Sequence, residues 1–366
     1  MTVYLLAGGG TAGHVNPLLA IADRLREREP SDEILILGTA EGLEARLVPE
    51  RGYELLTVER LPFPRRPSLA ALRFPSRYRA AVRRVERMIQ ERGIDVVIGV
   101  GGYASAPAYS AAHRRGVPIV LHEANARPGF ANRLGARWAA GVGLAFRGTP
   151  LRARDGLTEF VGMPLRTEIE RLAAPGARAL ARPEAIAFFG LDAQRPVLLV
   201  TGGSSGAQRI NDAIAGSVEA IIATGWQVLH LTGEYRDALD SDIAGYHPVR
   251  YADRMDLALA AADAAVSRAG TSTVAELAAL GIPTVFVPYA AGNGEQRLNA
   301  AVPVEAGGAL LIEDAAFSAD RVRSDLVGLL ADRARIAAMG ERMRAVGIGD
   351  ATDRMVALID RAVPGT

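Results

Sequence analysis

The stretch Ser267-Arg268-Ala269-Gly270-Thr271-Ser272-Thr273-Val274-Ala275-Glu276 decides the fold. The apolar run that precedes it, Ala261 to Val266, predicts a buried strand, and a helical pattern starts at about Thr271. A turn between them directs several backbone N–H groups at one point, beside the positive end of the helix dipole, which suits a diphosphate. Glu276, one to two turns further on, is placed to accept hydrogen bonds from a ribose diol. The stretch therefore predicts a nucleotide-sugar site.

Both halves of the chain begin with the same pattern of strand, glycine-rich turn and helix. In the first half the strand Val3 to Ala7 precedes Gly8-Gly9-Gly10-Thr11-Ala12-Gly13-His14 and a helix from Leu18 to Glu29. In the second half the strand Val197 to Thr201 precedes Gly202-Gly203-Ser204-Ser205-Gly206 and a helix from Ala207 to Ala223. Alternating strands and helices predict an α/β fold of two Rossmann-like domains whose parallel sheets face each other across a cleft.

A glycine and a proline at Gly162-Met163-Pro164 indicate a hinge between the two domains. We expect the first domain to comprise residues 1–162 and to be joined by a C-terminal helix at about residues 348–364. The second domain then comprises residues 163–347 and carries the nucleotide-sugar site.

The composition excludes several kinds of site. The 366 residues suffice for two ordinary domains, and 49% hydrophobic with 23% charged residues is typical of a soluble globular protein. A net charge of +1 and sparse aromatic residues predict no nucleic-acid partner. The absence of cysteine excludes disulfides and thiolate metal sites, and the absence of lysine excludes Schiff-base chemistry. We expect no signal peptide and no membrane-spanning segment.

Glycines 8, 10 and 13 satisfy the G-x-G-x-x-G spacing of a dinucleotide-binding turn. A nicotinamide site also needs an acidic residue at the end of the next strand, Glu33 to Leu37, but Gly38-Thr39 follows it. The turn therefore favours close approach to a phosphate or a sugar over a dehydrogenase site. His14 lies at the edge of this turn, where an imidazole suits a general base, although it could instead cap the helix or pack.

Polar residues follow two other predicted strands. His122-Glu123-Ala124-Asn125 comes after the strand Pro118 to Leu121, at the sheet edge where open α/β sheets bind ligands. Glu123 and Asn125 are therefore site candidates, with a turn-stabilising role as the alternative for Asn125. No Asp-x-Asp motif follows a strand, because Asp240-Ser241-Asp242 lies in a polar loop. Stabilisation of a leaving diphosphate by helix N-termini, backbone amides, Ser204 and Arg166 therefore fits better than a metal.

Residues 61–84 mix apolar residues with arginines and contain no acidic residue. This composition is typical of a surface that contacts anionic lipid head groups. A loop followed by a helix with one core-facing side is the alternative.

Six of these motifs, in order, resemble the MurG family of bacterial peptidoglycan glycosyltransferases nearly end to end. The motifs are Gly8 to His14, His122 to Asn125, Gly162 to Arg166, Gly202 to Ala207, Arg268 to Glu276 and Glu295 to Asn299. The resemblance implies a GT-B fold and an inverting transfer, without metal or cofactor, from UDP-N-acetylglucosamine. The acceptor would be the muramyl 4-hydroxyl of lipid I, the undecaprenyl-linked muramyl-pentapeptide. It also implies peripheral attachment, through residues 61–84, to the anionic inner leaflet at the cytoplasmic face of the cell membrane.

The resemblance assigns roles to individual positions. His14 and Glu123 are both candidates for the catalytic acid–base residue. The substrate-binding positions are Thr11, Ala12 and Gly13 at the donor sugar; Asn125 at a sugar; Arg166 in the donor site; Ser204 at the diphosphate; Ala252 at uracil; Thr271, Ser272, Thr273, Val274, Ala275 and Glu276 along the nucleotide, with Glu276 on the ribose; and Gln296 at the sugar hydroxyls. Glu295 stands where the family often has a glutamine, which leaves its role open.

Three other functions stay open at this point. A nicotinamide-dependent oxidoreductase lacks its acidic residue after Leu37. A UDP-N-acetylglucosamine 2-epimerase would need more acidic groups in the cleft and no lipid-facing surface. A non-catalytic cell-wall scaffold would not need His14, Asn125, Glu276 and Gln296 together.

Overall fold

The computed structural model describes residues 1–64, 66, 68–203, 206–233, 242–289 and 294–365, with the backbone alone for Ala12 and Ala70. The chain divides into two compact units. The first comprises Met1–Thr167 and Asp350–Thr366, and the second comprises Glu168–Gly349. Among the described residues, no helix combines the length and the apolarity needed to cross a membrane.

The first unit contains a seven-stranded parallel sheet in the order β3-β2-β1-β4-β5-β6-β7. Its strands are β1 Val3–Ala7, β2 Glu33–Gly38, β3 Glu54–Thr57, β4 Val96–Gly99, β5 Ile119–Glu123, β6 Gly141–Leu144 and β7 Leu157–Phe160. The helices between them are α1 Ala12–Arg28, α2 Glu44–Glu50, α3 Leu69–Arg92, α4 Ser105–Arg115 and α5 Phe130–Gly135.

Helices cover both faces of this sheet, so its central strands are apolar on both sides. All five residues of β1 are buried. Tyr4 and Leu6 pack in one core cluster together with α1, whereas Leu5 and Ala7 pack in another together with α3 and α4. Because successive side chains of a strand point to opposite faces of the sheet, β1 contributes residues to two separate cores.

The second unit contains a six-stranded parallel sheet in the order β10-β9-β8-β11-β12-β13. Its strands are β8 Val197–Thr201, β9 Gln227–Leu231, β10 Tyr246–Val249, β11 Ala264–Ser267, β12 Thr284–Phe286 and β13 Ala309–Leu311. Its helices are α6 Thr167–Ala173, α7 Ala177–Phe189, α8 Gln208–Ala215, α9 Val218–Ile222, α10 Met255–Ala261, α11 Thr271–Ala279, α12 Glu295–Asn299, α13 Ala301–Glu305, α14 Ala319–Arg321, α15 Val327–Ala331 and α16 Arg333–Val346, with a 3₁₀ turn at Asp314–Ala316 and a π turn at Val322–Leu326.

The last helix, α17 Ala351–Ala362, belongs to the first unit. It packs on β6, where two glycines leave room for it. A side-chain carbon at Gly141 would lie 2.9 Å from Cβ of Ala362, and one at Gly143 would lie 2.7 Å from Sδ of Met355. The close approach of helix and strand therefore favours glycine at Gly141, and a side chain at Gly143 would have to displace the Met355 thioether.

The order in which the strands follow one another reverses near the centre of each sheet, between β1 and β4 in the first unit and between β8 and β11 in the second. Loops that leave adjacent strands at such a switch point run to opposite faces and open a crevice at the carboxyl ends of the strands. The glycine-rich turns after β1, β4, β8 and β11 all lie at these two points. The α/β class and the parallel sheets predicted from the sequence are confirmed.

Three predicted element boundaries are wrong. Helix α1 begins at Ala12 and contains Pro17, so the proline does not mark the helix start and His14 lies in the first turn. The strand expected from Ala261 begins only at Ala264, because α10 extends to Ala261; an apolar run alone does not distinguish a buried helix from a strand. The helix expected from Ala207 to Ala223 is two helices separated at Gly216-Ser217, where the Ser217 hydroxyl donates to the Ala213 carbonyl at 2.6 Å.

Candidate active site

In the second unit, a cavity of about 1100 Å³ lies at the carboxyl edge of the sheet, at the switch point. Its walls come from the turn after β8, the turn after β11 and the segments after β12 and β13. The residues that line the cavity include Gly202, Gly203, Gly206, Arg209, Arg268, Gly270, Thr273, Tyr289, Gln296 and Asp314. A cavity of this size accommodates a ligand as large as a nucleotide sugar.

Gln296 joins two walls of this cavity, which we call the donor cavity. Its side-chain Oε1 accepts a hydrogen bond from the Tyr289 backbone N–H at 2.8 Å and a longer one from the Ala269 N–H at 3.3 Å. Nearby, Asn299 Nδ2 donates to the Ala269 carbonyl at 3.3 Å and to Thr271 Oγ1 at 3.2 Å. Helix α12 therefore holds the turn after β11 through two side-chain amides.

A charged network forms another wall of the donor cavity. Arg268 Nη1 donates to Asp314 Oδ1 at 2.5 Å and to the Val287 carbonyl at 3.0 Å. Arg209 Nε donates to Asp314 Oδ2 at 3.2 Å. One carboxylate thus orients two guanidinium groups beside the cavity. No local pattern in the sequence indicates the role of Arg268, Arg209 or Asp314 in this network.

Helix α11 points its N-terminus at the donor cavity, with Gly270 as N-cap in an extended conformation. Among the described residues, the buried Ser272 Oγ has no hydrogen-bond partner. Glu276 is 6% exposed and Thr271 is 7% exposed, so both face the protein interior rather than open solvent. Thr273 alone among the six predicted positions of this helix lines the cavity.

The remaining predicted positions of the second unit do not line the donor cavity or lie outside the described residues. Ala252 is half-buried, three residues after the end of β10, and is not part of the cavity lining. Val274 is buried and Ala275 half-buried on α11, outside the lining as well. Ser204, and Asp240-Ser241 of the rejected Asp-x-Asp spacing, lie outside the described residues.

In the first unit, the turns after β1 and β4 are held against each other. The Ser105 hydroxyl donates to the Ala7 carbonyl at 2.9 Å and to the Gly101 carbonyl at 2.7 Å. A side-chain carbon at Gly102 would lie 2.5 Å from the Gly9 carbonyl oxygen, and φ of Gly102 is +89°. Glycine is therefore required for this contact between two backbones.

His14 lies in the first turn of α1, with its ring against the backbone of Gly101. A side-chain carbon at Gly101 would lie 3.2 Å from both Cδ2 and Nε2 of the imidazole. Thr11 Oγ1 lies 3.4 Å from His14 Nδ1. Burial lowers the pKa of His14, and the negative charge of Glu44 opposes that shift. The imidazole is thus neutral and able to accept a proton at neutral pH. Thr11 is exposed and Gly13 half-buried beside it, and the Ala12 side chain lies outside the described residues.

Glu123 ends β5 and is 1% exposed. Its Oε1 accepts hydrogen bonds from the Asn125 backbone N–H at 2.9 Å and from Asn125 Nδ2 at 3.3 Å. Its Oε2 accepts from the Gly129 N–H at 2.9 Å and from Asn132 Nδ2 at 3.0 Å. Burial raises the pKa of Glu123 while these donors lower it. The carboxylate therefore shapes the loop from Asn125 to Gly129, and no local pattern in the sequence marks its partner Asn132.

Asn125 and Arg166 follow the strands β5 and β7. Asn125 is half-buried, and its carbonyl accepts a hydrogen bond from Thr149 Oγ1 at 3.2 Å. Arg166 is half-buried, four residues after Gly162, whose carbonyl lies 2.8 Å from His122 Nε2. Glu123 thus joins Asn125 to Asn132 by hydrogen bonds, and His122 joins β5 to the segment that leads to Arg166.

Residues 61–84 form a segment that leads into helix α3, and Arg65 and Pro67 lie outside the described residues. The Ser68 hydroxyl caps the helix by accepting from the Ala71 N–H at 3.2 Å. The side chains of Leu69 and Leu72 are 74% and 79% exposed. We call the exposed apolar residues Phe63, Leu69, Leu72 and Phe130 the apolar patch. Phe130 lies outside residues 61–84 but belongs to the patch, because its ring centroid lies 4.3 Å from that of Phe63.

Exposed arginines continue from the apolar patch along α3. They are Arg66, Arg73, Arg79, Arg83 and Arg84. Leu72, Arg79 and Arg83 share one face of the helix at the spacing i, i+7 and i+11. An exposed apolar patch beside exposed guanidinium groups is typical of a surface that contacts anionic lipid.

Both units match known protein families. Residues 4–144 match the glycosyltransferase family 28 N-terminal domain, and residues 197–355 match the glycosyltransferase family 28 C-terminal domain. A relative from Leifsonia xyli subsp. xyli is 61% identical over 98% of each chain, and one from Clavibacter sepedonicus is 57% identical over 99% of this chain and 97% of its own. Each of them is named UDP-N-acetylglucosamine–N-acetylmuramyl-(pentapeptide) pyrophosphoryl-undecaprenol N-acetylglucosamine transferase.

Solved structures show the same architecture. Acinetobacter baumannii MurG superposes with a TM-score of 0.74 at 25% identity, covering 99% of this chain and 100% of its own. A UDP-GlcNAc 2-epimerase from Neisseria meningitidis, bound to UDP-GlcNAc, superposes with a TM-score of 0.69 at 13% identity, covering 99% of this chain and 100% of its own. The epimerase likeness shows the shared fold alone.

Proposed function

Because the chain belongs to glycosyltransferase family 28, within its MurG branch of peptidoglycan synthesis, we propose that it transfers N-acetylglucosamine from UDP-N-acetylglucosamine to lipid I. The attacking group is the C4 hydroxyl of the muramyl unit, and the product is lipid II. The observation that carries the proposal is that identity to the named transferases extends over both units, not over the nucleotide-binding unit alone.

The reaction is a single displacement with inversion at the anomeric carbon. The bond from that carbon to the β-phosphate oxygen of UDP breaks as the bond to the muramyl O4 forms. The O4 proton passes to a base, and the negative charge passes to the diphosphate. The second unit binds the donor and the first unit binds the acceptor and the membrane.

The donor cavity supports the assignment of the donor to the second unit. Glu276 binds the ribose diol, and the uracil lies against the backbone at Ala252. The N-terminus of α11, whose residues Gly270 and Thr273 line the cavity, suits the diphosphate. Gln296 donates to the sugar hydroxyls through Nε2, while its Oε1 holds the surrounding backbone.

Stabilisation of the leaving group without a metal is supported by the positive groups of the donor cavity. The dipole of α11, the backbone amides of its turn and the guanidinium of Arg268 all lie at the cavity. We also assign Arg166 and Ser204, on the resemblance to the family alone, to the stabilisation of the leaving group.

His14 is the better of the two candidates for the general base. Its imidazole lies at the contact between two glycine-rich turns, and its lowered pKa keeps it unprotonated at neutral pH. Glu123 is buried with four hydrogen bonds to its two oxygens, so a hydroxyl group cannot reach it without displacing a donor. Glu123 therefore orients Asn125, and Asn125, Thr11, Ala12 and Gly13 contact sugar.

The decisive experiment measures transfer of radiolabelled N-acetylglucosamine from its UDP donor to a short-chain lipid I analogue in the presence of EDTA. Labelled disaccharide lipid establishes donor, acceptor and metal independence together. Formation of UDP-N-acetylmannosamine, or of N-acetylmannosamine and UDP by hydrolysis, detected by NMR, would instead identify an epimerase. Tight UDP binding with no product of either kind would retain the donor site and refute the acceptor.

We propose further that the enzyme binds the cytoplasmic face of the cell membrane as a peripheral protein, through the apolar patch and the arginines of α3. The side chains of Leu69 and Leu72 are 74% and 79% exposed. Replacing both by serine should weaken insertion of the protein into the bilayer by about 2 kcal/mol, or roughly thirtyfold in partitioning. Leu69→Ser/Leu72→Ser should therefore abolish most co-sedimentation with phosphatidylglycerol vesicles.

The matched control for this experiment is Leu180→Ser, because Leu180 is 84% exposed on α7 of the second unit, outside the patch. It should leave vesicle binding unchanged. Equal loss in both variants, or equal binding of the wild type to neutral phosphatidylcholine vesicles, contradicts the proposed surface.

A further inference from the structure

A buried carboxylate lies under the first glycine-rich turn. Glu44, the first residue of α2, is 1% exposed. Its Oε2 accepts a hydrogen bond from the Gly10 backbone N–H at 2.7 Å, and its Oε1 accepts from the N–H of Thr39 at 2.9 Å and from its hydroxyl at 2.8 Å. The carboxylate thus connects the end of β2 to the turn after β1.

Three glycines make room for this carboxylate. A side-chain carbon would lie 2.3 Å from Glu44 Oε1 at Gly9, 2.1 Å from Oε2 at Gly42, and 2.5 Å from Cγ at Gly38. A side chain at any of these three positions would therefore displace the Glu44 carboxylate from its hydrogen bonds. Burying a charge is costly unless hydrogen bonds compensate for the loss of water. Here one hydroxyl and two backbone amides donate to the carboxylate, and three glycines leave the space for it.

The position corresponds to the acidic residue that a nicotinamide dinucleotide site uses to bind ribose. Such sites place the acid near the end of the second strand and use the glycine turn to bind phosphate. Here the acid reaches the same region from α2, but its carboxylate is directed into the protein and engages the Gly10 amide itself. The turn therefore presents that amide to a protein carboxylate instead of a ligand.

The Glu44 carboxylate also acts electrostatically on His14. His14 follows Gly10 in the sequence and lies in the first turn of α1. Two titratable groups from other elements act on this imidazole, namely Glu44 on α2 and His122 on β5. Burial lowers the pKa of His14, and the Glu44 charge raises it again. The His122 imidazole has its own pKa lowered to about 4, so it is neutral at pH 7 and adds no charge there.

We propose that Glu44 is a positioning residue for the transfer reaction: its carboxylate holds the first glycine-rich turn through Gly10 and so sets the orientation of His14, and its charge stabilises the imidazolium that forms when His14 takes the acceptor proton. The role of His14 as base rests on the proposed function; the contact between Glu44 and the turn does not.

The test uses Glu44→Gln, which has the same shape without the charge. When its oxygen faces Thr39, its NH₂ group faces the Gly10 N–H, so two donors meet and the turn shifts. We expect kcat to fall about 10- to 100-fold with KM for UDP-N-acetylglucosamine unchanged. Since His14 works in its neutral form, the rise of kcat with pH follows its pKa, and this rise should move to lower pH by about 0.5 to 1 unit.

Two variants separate positioning from mere stability. Asp23→Asn is the matched control, because Asp23 is also a buried carboxylate of the first unit, bonded to the Tyr53 hydroxyl at 2.8 Å and to Arg51, away from the turn. It should lower the melting temperature without moving the pH profile. Glu44→Asp keeps the charge but is one methylene shorter, so kcat should fall while the pH profile stays near that of the wild type.

NMR titration of the His14 imidazole, assigned with His14→Ala, reads the same coupling without any substrate. An unchanged His14 pKa in Glu44→Gln, or an equal shift in Asp23→Asn, overturns the inference. If Glu44→Gln does not fold, a folded Glu44→Asp with wild-type kcat overturns it equally. Failure of the wild type to form lipid II would refute the proposed function instead, and would leave the titration result to be judged by itself.

Discussion

Replacement of Gln296 separates two roles that one side chain performs in the donor cavity. Its Oε1 accepts from the backbone N–H groups of Ala269 and Tyr289, and we propose that its Nε2 donates to the donor sugar. Gln296→Glu keeps an acceptor oxygen for both amides and loses the donor. Gln296→Ala loses both.

The magnitudes follow from the surroundings of the two amides. Tyr289 is exposed, so water can replace its bond, whereas Ala269 is fully buried and its N–H would be left without a partner. The bond to Ala269 is long at 3.3 Å, so losing both bonds should cost about 1–2 kcal/mol. A hydrogen bond from Nε2 to a sugar hydroxyl contributes about 1–1.5 kcal/mol, or roughly tenfold in affinity.

Isothermal titration calorimetry of UDP and of UDP-N-acetylglucosamine distinguishes these contributions. The added charge of Gln296→Glu repels UDP more than UDP-N-acetylglucosamine, because the free β-phosphate of UDP carries one more negative charge. We therefore expect the ratio of the affinity for UDP-N-acetylglucosamine to that for UDP to fall about tenfold in Gln296→Ala and by less in Gln296→Glu, and the thermal stability to fall only in Gln296→Ala. An unchanged ratio in Gln296→Ala would refute sugar recognition by Nε2. Equal stability of Gln296→Ala and wild type would refute the contribution of Oε1 to the cavity walls.

Three further predictions concern the base, the ribose and the buried histidines. His14→Ala should lower kcat about 10²- to 10⁴-fold while UDP affinity, measured by calorimetry, stays within about twofold; a full rate would exclude His14 as base. Glu276→Ala should weaken UDP binding at least about tenfold, whereas the variant and the wild type should bind 2′,3′-dideoxy-UDP about equally; an equal preference of both proteins for UDP over the dideoxy ligand would contradict the ribose contact. Burial lowers the pKa of both His122 and His230 to about 4, below the ordinary value of 6.5. Their contribution to the free energy of unfolding is therefore complete above pH 6.5, and it is lost as the pH falls toward 4. Urea unfolding should show a loss of about 2 kcal/mol per histidine between pH 7 and pH 5, and His230→Gln should remove one such contribution; a pH dependence unchanged in that variant would contradict it.

Local patterns in the sequence were sufficient to predict the fold class. An apolar run, a glycine-rich turn and a helix recur at the start of each half, and these features depend only on residues that are close in the chain. Strand β1, predicted at Val3 to Ala7, is confirmed at the same residues. Boundaries failed where one pattern fits two structures, as at Ala261, where a buried helix and a buried strand are equally apolar.

The candidate site could be predicted only in part. Residues next to glycine turns, such as His14 and Thr271, were found because the turn itself marks them. Phe130 was missed, because its contact with Phe63 joins residues far apart in the sequence and Phe130 has no local signal of its own. The same holds for Asn132 under Glu123 and for Asp314 between two arginines.

The sequence by itself determined which elements form and which turns can approach a phosphate or a sugar, because periodicity and glycine conformation act within a few residues. Only the tertiary structure decided which side chains occupy those turns. Glu44 reaches the Gly10 amide across 34 residues because β2 pairs beside β1, and Gln296 reaches the Ala269 amide because β12 pairs beside β11. Strand order depends on how whole elements pack against each other, and no short stretch of sequence contains that information.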